Sequence, residues 1–523
     1  MIQKKWIVAL AVLAVTGCSS CDDDNIVDPT RAEKSIVILY ENDAHCAING
    51  YTKFAGLRDA IVKADTSNVA LVSSGDFLQG ALPGAYSHGQ YIVDIMKNVG
   101  YDAITLGNHE FDYGVPRMLE VLPKIGTTIV ATNLFEYGGT TPLYQPYIIK
   151  RYGTKRIAFV GVTTPDAMDD EAYSFFDDNQ QQIYDLRTSD VYTLVQTAVD
   201  KARGEGADYV VVLSHLGEKE GYTGVNSHGL VAATNGIDAV LDGHTHSVIP
   251  CDRVANKDGK QIPVSQTGTQ FANVGKLWIS PDGTFTTTLV AQDDIPYSND
   301  RITATIDSIN ALLDEAVSRE VGTVDFELPA KDASGEWLVR NEETALGDLV
   351  ADAFRNKMSA DIGLVNGGGV RNSIAAGTIK YGNVISVLPN DNKVVLIEAT
   401  GAKIVAMLEK CTEACPEKDG AFPQVSGLKF TIHTASHTVS DVQVLNRTTG
   451  EYEAIAADGT YTIGINDYYK SGGYYRMLQD CRLIDAGTDT CCDVLTDYLE
   501  TVLGGVVPDN YREPAGLITI VNN

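Results

Sequence analysis

Positive charge is what this 523-residue chain has least of: 40 Lys and Arg stand against 69 Asp and Glu, for a formal charge of −29. A long contact with a nucleic acid backbone depends on Lys and Arg displacing counterions, so the balance excludes a nucleic acid polymer as partner. A small anion is not excluded, because bound metal ions and a few arginines reverse the sign locally. Long apolar runs are also missing. Beyond the N-terminus, no stretch approaches the roughly 20 apolar residues that a membrane-spanning helix needs. No internal repeat is present, so a repeat architecture is not expected. No Cys-x-x-Cys pair has a partner pair at the spacing of a zinc-thiolate site, which excludes that kind of metal site.

What is present is the composition of an ordinary globular protein, with 44% apolar residues, 21% charged residues and 25 tyrosines. The length is too great for one core, and two domains are expected. The chain opens with Lys4 and Lys5, an apolar run from Trp6 to Val15 and small residues up to Cys18. That run is too short to span a bilayer and reads as a cleaved export signal over residues 1–17. Val15-Thr16-Gly17-Cys18 resembles the bacterial lipobox, which implies that Cys18 is acylated and becomes the mature N-terminus. Residues 18–34 follow as a solvated acidic linker containing Asp22-Asp23-Asp24. This stretch resembles signals that route some lipoproteins to the outer cell surface. The mature chain is therefore expected as an outer membrane or cell surface lipoprotein, or in the periplasm, with membrane contact only through the lipid anchor at Cys18. An exported chain can oxidise its cysteines, and Cys411, Cys415, Cys481, Cys491 and Cys492 gather in the last quarter, where a disulfide or two could form.

From Ser35 to about Ile295, short apolar runs alternate with helical stretches. Strands are expected at Ser35–Tyr40, Val69–Ser73, Ala103–Leu106, Ile157–Val162, Tyr209–Leu213 and Ala239–Leu241. Each is apolar throughout, the mark of a strand buried on both faces in an α/β layered domain. A polar cluster directly follows most of them: Asn42-Asp43-Ala44-His45, Gly75-Asp76, Gly107-Asn108-His109-Glu110, Ser214-His215 and Gly243-His244-Thr245-His246. Ligands of such sheets bind beyond the carboxyl ends of the strands, so five segments should meet at one edge. Arg301 to Glu320 has helical spacing and is expected as a connecting helix. A second α/β region follows from about Leu328 to Asn523, with a glycine-rich turn at Asn366-Gly367-Gly368-Gly369.

Taken singly, each polar motif has an ordinary reading: Asp43 as a turn residue, Asp76 as a helix cap, His215 as a satisfied core histidine. Together, carboxylates, imidazoles and an amide without thiolates suit zinc, manganese or similar divalent ions. Two such ions about 3.5 to 4 Å apart clamp a phosphoryl group and activate water.

In these motifs and their order the chain resembles the bacterial 5′-nucleotidases of the calcineurin-like metallophosphoesterase superfamily, over nearly its whole mature length. The resemblance implies a layered β-sandwich flanked by helices over residues 35–298, a connecting helix over 299–327 and an α/β C-terminal substrate-binding domain over 328–523. It also implies two divalent metal ions as cofactors. Asp43, His45, Asp76 and His246 would hold one ion, and Asp76, Asn108, His215 and His244 the other. His109 would lie beside the scissile phosphate, oriented by Asp112. Arg340, Asn366, Arg371, Tyr468 and Tyr474 would bind the substrate, with the C-terminal domain rotating to bring it to the metals. The chain departs from the family where Cys46 replaces a glycine, where Leu388-Pro389-Asn390 lacks the first aromatic of a base clamp, and where Tyr474 replaces an aspartate. The expected activity is hydrolysis of a phosphate monoester, by preference a nucleoside 5′-monophosphate. The alternatives are a UDP-sugar or 2′,3′-cyclic-nucleotide phosphodiesterase and, in another class, a non-catalytic surface binding lipoprotein.

Overall fold

The computed structural model describes residues 35–64, 68–177, 181–218, 224–390, 392–471, 473 and 475–522. The expected signal peptide, Cys18 and the acidic linker lie outside the described residues, as does Tyr474. Among the described residues, no helix is long and apolar enough to cross a membrane.

The run Ile36–Glu41 is buried at every position, which requires cover on both faces. It receives that cover as part of a sandwich of two six-stranded sheets. The first sheet has the spatial order Phe285–Ala291, Asn273–Ile279, Ile36–Glu41, Val69–Ser73, Ala103–Ile104, Thr128–Ile129. The second runs Val248–Ala255, Gln261–Thr267, Ala239–Leu241, Tyr209–His215, Lys155–Thr163, Tyr147–Tyr152. Successive side chains of a strand face opposite ways. Ile36, Ile38 and Tyr40 accordingly enter the core between the sheets with Val72, Phe159 and Leu213, while Val37 and Leu39 enter an outer core. That outer core is closed by residues of helices Gly50–Ala64, Gln90–Val99 and Asp300–Val317. Helices Val191–Gly204 and Ser227–Ala233 cover the second sheet.

Helix Asp300–Val317 begins at an Asn299 cap that accepts the Ile302 N–H at 3.0 Å. It stops short of the expected Glu320, which instead opens a strand, Glu320–Val324, paired with Gly377–Lys380. Val321 continues the helical spacing from Val317, so periodicity alone runs on; Gly322 and the pairing end it. Its apolar face, Ile302, Ile306, Ile309 and Leu313, belongs to the core of the first sheet. The C-terminal region contains a five-stranded sheet in the order Pro423–Ser426, Ile362–Asn366, Thr460–Asn466, Val394–Thr400, Arg482–Asp485 and a separate four-stranded sheet. Among the described residues, no two of the C-terminal cysteines, Cys411, Cys415, Cys481, Cys491 and Cys492, are joined in a disulfide.

The last strand, Ile518–Val521, is docked by the half-buried Glu343 and the buried Asp348, beside and in helix Ala345–Lys357. Leu517 and Ile518 N–H donate to Glu343 at 2.9 and 2.8 Å, and Ala515 N–H donates to Asp348 Oδ2 at 2.8 Å. Burial, and beyond it the charges of Glu343 and Asp352, push the Asp348 carboxyl up to about 8. The folded chain therefore holds a proton that the unfolded chain, with a carboxyl near about 3.9, has already lost. The stability that Asp348 contributes is full below the unfolded value and is lost as pH rises toward the folded one. Asp348→Asn keeps an acceptor for Ala515. It is expected to raise the melting temperature at pH 9 and to change it little at pH 4. Thermal unfolding at the two pH values measures this, and an equal shift at both would remove the carboxyl's charge as the cause.

Candidate metal centre

Asp43 and His45 follow strand Ile36–Glu41, Asp76 follows Val69–Ser73, and Asn108 and His109 follow Ala103–Ile104, all from the first sheet. His215 ends strand Tyr209–His215, and His244 and His246 follow Ala239–Leu241, from the second. The site therefore spans the carboxyl edge of both sheets of the sandwich. Five of these residues take left-handed backbone angles: Asp43 (φ 51°), His45 (42°), Asp76 (60°), His244 (76°) and His246 (55°). Such a conformation costs a non-glycine residue on the order of 1 kcal/mol, and it persists where the surroundings over-determine it. Here the loops tie one another: Asp43 N–H donates to Gly75 O at 2.9 Å, and His45 N–H to Asp76 O at 3.0 Å. His109 N–H donates to Asp76 Oδ1 at 2.8 Å. Gly107 makes the last contact feasible, since a Cβ there would lie 2.1 Å from Asp76 Oδ1.

The donor atoms converge. Ligand atoms of Asp43, His45, Asp76 and His246 all lie within 4.8 Å of one another. His45 Nε2 is 3.0 Å from His246 Nε2, which is 3.4 Å from Asp43 Oδ1. His215 Nε2 lies 3.1 Å from Asp76 Oδ2 and 3.8 Å from Asp43 Oδ1, yet it is buried and makes no hydrogen bond. Its Nδ1 is committed to the Ser74 carbonyl at 2.6 Å, which aims Nε2 at the centre; against burial, Asp76 and Asp43 raise the imidazole to about 10, and a bound ion would take the place of that proton on Nε2. His45 is held in the same way, with Nδ1 3.2 Å from the Gln79 carbonyl. His244 turns Nδ1 toward Asn108 Oδ1 at 3.0 Å and Nε2 toward Asp166 Oδ2 at 3.4 Å.

Asp43 and Asp76 are buried, and among the described residues their ion-pair partners are histidines, with no Lys or Arg. Two buried carboxylates this close need a cation. Burial opposes ionisation of Asp76, but His215, His109 and His45 hold its carboxyl well below the usual range. The donor set of imidazole, carboxylate and amide fits divalent ions of the zinc and manganese kind. Cys46 is not part of it: the buried thiol bonds the Leu78 carbonyl at 3.1 Å, and burial pushes it up to about 12.

Beside this centre, His109 Nδ1 lies 3.1 Å from both Asp112 oxygens and 3.8 Å from Glu171 Oε1. Burial opposes protonation of His109, but Asp112, Asp76 and Glu171 outweigh it and hold the imidazole well above its usual value. Glu171 also accepts from Asn108 Nδ2 at 3.3 Å. No motif in the sequence marks Glu171 or Asp166. Glu110, by contrast, stands within the Gly107–Asp112 motif, and its role becomes visible in its bonds. Its carboxylate accepts the N–H groups of Asp76 (2.8 Å), Phe77 (2.8 Å), Leu78 (3.1 Å) and Gly107 (2.6 Å), tying the two loops that carry Asp76 and Asn108.

A cavity of about 200 Å³ opens onto Asn108, His109 and Asp112 from the first domain, and onto Asn366, Arg371, Asn390 and Tyr468 from the second. Members of both expected sets thus line one space: Asn108, His109 and Asp112 of the first, and Asn366, Arg371 and Tyr468 of the second. Arg340 is not among the residues lining it; its guanidinium stacks over Trp337 at 4.4 Å from the ring centroid. The domains also touch at the cavity's margin, where Gln79 Nε2 donates to Asn390 Oδ1 at 3.1 Å, and at Arg476–Asp169 at 2.7 Å.

Residues 321–480 match the family model described as 5′-nucleotidase, C-terminal domain. Residues 39–264 match that of the bacterial capsule synthesis protein PGA_cap. A 5′-nucleotidase of Vibrio parahaemolyticus is 26% identical over 551 residues, covering 96% of this chain and 95% of that one. The trifunctional nucleotide phosphoesterase of Bacillus subtilis is 25% identical over 86% of this chain, which spans only 33% of that longer protein. The crystal structure of a 5′-nucleotidase precursor from Thermus thermophilus shares the fold, with a TM-score of 0.68 and 24% identity over 94% of this chain and 100% of that one. Near end-to-end alignment with such a relative, and the match of residues 321–480 to the model of the C-terminal domain, support the 5′-nucleotidase family for this chain and a hydrolase acting on ester bonds.

Proposed function

We propose that the chain hydrolyses phosphate monoesters, nucleoside 5′-monophosphates first among them, with two divalent ions. The observation that carries this reading is the single cavity in which Asn108, His109 and Asp112 meet Asn366, Arg371 and Tyr468. Asp43, His45, Asp76 and His246 would hold one ion, and Asp76, Asn108, His215 and His244 the other. When bound, such ions supply Lewis-acid neutralisation of phosphoryl charge and make water more acidic. The chain's own residues do the rest. His109, kept protonated by Asp112, donates to a phosphate oxygen or to the leaving oxygen. Arg371 spends one N–H on the Gly368 carbonyl at 3.3 Å, and its planar fork suits the oxygens of a phosphate or carboxylate. Tyr468 offers a ring for stacking. Residues 1–34 support export, with a lipid anchor at Cys18 and the mature chain outside the inner membrane.

The test is phosphate release by protein lacking its signal, on AMP, UDP-glucose and a 2′,3′-cyclic nucleotide. AMP should be fastest. Preference for either of the others would favour a phosphodiesterase, and turnover of none would leave a binding lipoprotein. Arg371→Ala should raise the KM for AMP by about 10- to 100-fold, the value of a hydrogen bond to a charged group, and change p-nitrophenyl phosphate hydrolysis much less. Arg340→Ala, outside the cavity, should have a smaller effect on both. Equal losses on the two esters for Arg371→Ala would place that arginine in the chemical step.

A further inference from the structure

We propose that the substrate half of the cavity reads the hydroxyl groups of a sugar, and that the base is carried with little discrimination. This rests on the phosphomonoesterase reading above and specifies which part of the ester is recognised.

The lining is rich in carboxamides. Gln79, Asn366, Asn390, Asn392 and Asn466 all face the cavity, against one aromatic side chain of the second domain, Tyr468. Asn366, Asn392, Asn466 and Gln79 are buried. They are pinned by bonds that use only part of their capacity. Asn466 Nδ2 donates to Asn366 Oδ1 at 2.9 Å, Gln79 Nε2 to Asn390 Oδ1 at 3.1 Å, and Asn392 Nδ2 to Asp467 Oδ1 at 2.9 Å. A carboxamide has two donors and two acceptor lone pairs, so each keeps sites for a ligand while its rotamer is fixed. Buried polar groups are costly unless satisfied, and hydroxyls, which donate and accept, are their natural complement.

A base, by comparison, finds little to hold it. The Tyr468 ring is backed by Gly473, where a Cβ would lie 2.4 Å from ring atoms. Tyr469 meets it edge-on at 6.4 Å, so one face at most remains open. Among the described residues, no Phe, Trp or second Tyr lines the cavity. Asn390, where a clamp ring would stand, is committed to Gln79 of the other domain. The cavity volume of about 200 Å³ is also below the roughly 300 to 1,000 Å³ of pockets that enclose drug-sized ligands. A phosphorylated pentose fits that scale with its base projecting outward.

The test compares kcat/KM for AMP, GMP, CMP, UMP, ribose 5-phosphate and 2′,3′-dideoxy-AMP, with p-nitrophenyl phosphate as the measure of the intact chemical centre. The four nucleotides and ribose 5-phosphate should fall within about tenfold of one another, and the dideoxy nucleotide should fall at least about 100-fold below AMP, because its absence of hydroxyls leaves buried amides unpaired. Asn390→Phe should shift preference toward AMP over ribose 5-phosphate by about fivefold. An AMP preference over ribose 5-phosphate of 100-fold or more in the unmodified protein, or full turnover of the dideoxy nucleotide, would overturn the inference and leave the phosphomonoesterase reading standing. Failure to hydrolyse any of the esters, p-nitrophenyl phosphate included, would overturn both.

Discussion

Asp76→Asn is expected to lower phosphate release by on the order of 10³-fold or more on every ester, equivalent to about 4 kcal/mol of transition-state stabilisation. The substitution is nearly isosteric, and Asn tolerates the left-handed backbone that Asp76 adopts (φ 60°). It can still accept the His109 N–H, so the loop should stand. What it removes is the anionic oxygen facing His215 at 3.1 Å and His45 at 3.8 Å, the only group assigned to both ions. Metal content should fall with activity. Because Asp43 and Asp76 share a buried site without Lys or Arg among the described residues, removing one charge should leave the chelator-treated protein no less stable. Element analysis, kinetics and thermal unfolding on one preparation separate these outcomes. Unchanged turnover of a generic ester would mean that the metal ligands are misassigned.

His109→Ala should give the opposite pairing of results: metal content intact, and kcat lower by about 10²- to 10⁴-fold, the range of a positioned general acid or charge donor. Its Nδ1 is 3.1 Å from Asp112, and its ring lines the cavity beside Asn108. The working form is the protonated one, so activity is lost as pH rises through the His109 value. Asp112, Asp76 and Glu171 hold that value high against burial. Asp112→Asn should therefore move the alkaline limb of the pH–rate profile downward. Loss of metal in His109→Ala would make His109 a ligand instead.

The parts of this molecule that sequence reveals are those whose physics is local. Ile36–Glu41 reads as a strand because both of its faces are apolar, and the structure uses each face in a different core. The motifs around Asp43, Asp76, Asn108, His215 and His244 are legible because each ends a strand, and strands of the two packed sheets end at a common edge. Glu171 and Asp166 escape the same reading. Their contacts to Asn108, His109 and His244 come from a loop placed by the tertiary fold, with no pattern of its own. Arg340 is chemically suited to a phosphate, yet Trp337, three residues earlier in sequence, takes its guanidinium. The cysteines of the last quarter lie near one another in sequence, which says nothing about the Cβ geometry that a disulfide requires. The bond between Asn390 and Gln79 joins residues of different domains and is invisible to any local pattern.

Turnover is expected to depend on two ions held by residues of both sheets. Protein stripped by a chelator and titrated with zinc or manganese, with p-nitrophenyl phosphate hydrolysis followed against equivalents added, tests it directly. The stripped protein should show no turnover, and recovery should saturate at two equivalents per chain. Undiminished turnover in protein shown by element analysis to be free of metal, or saturation at one equivalent, would contradict it.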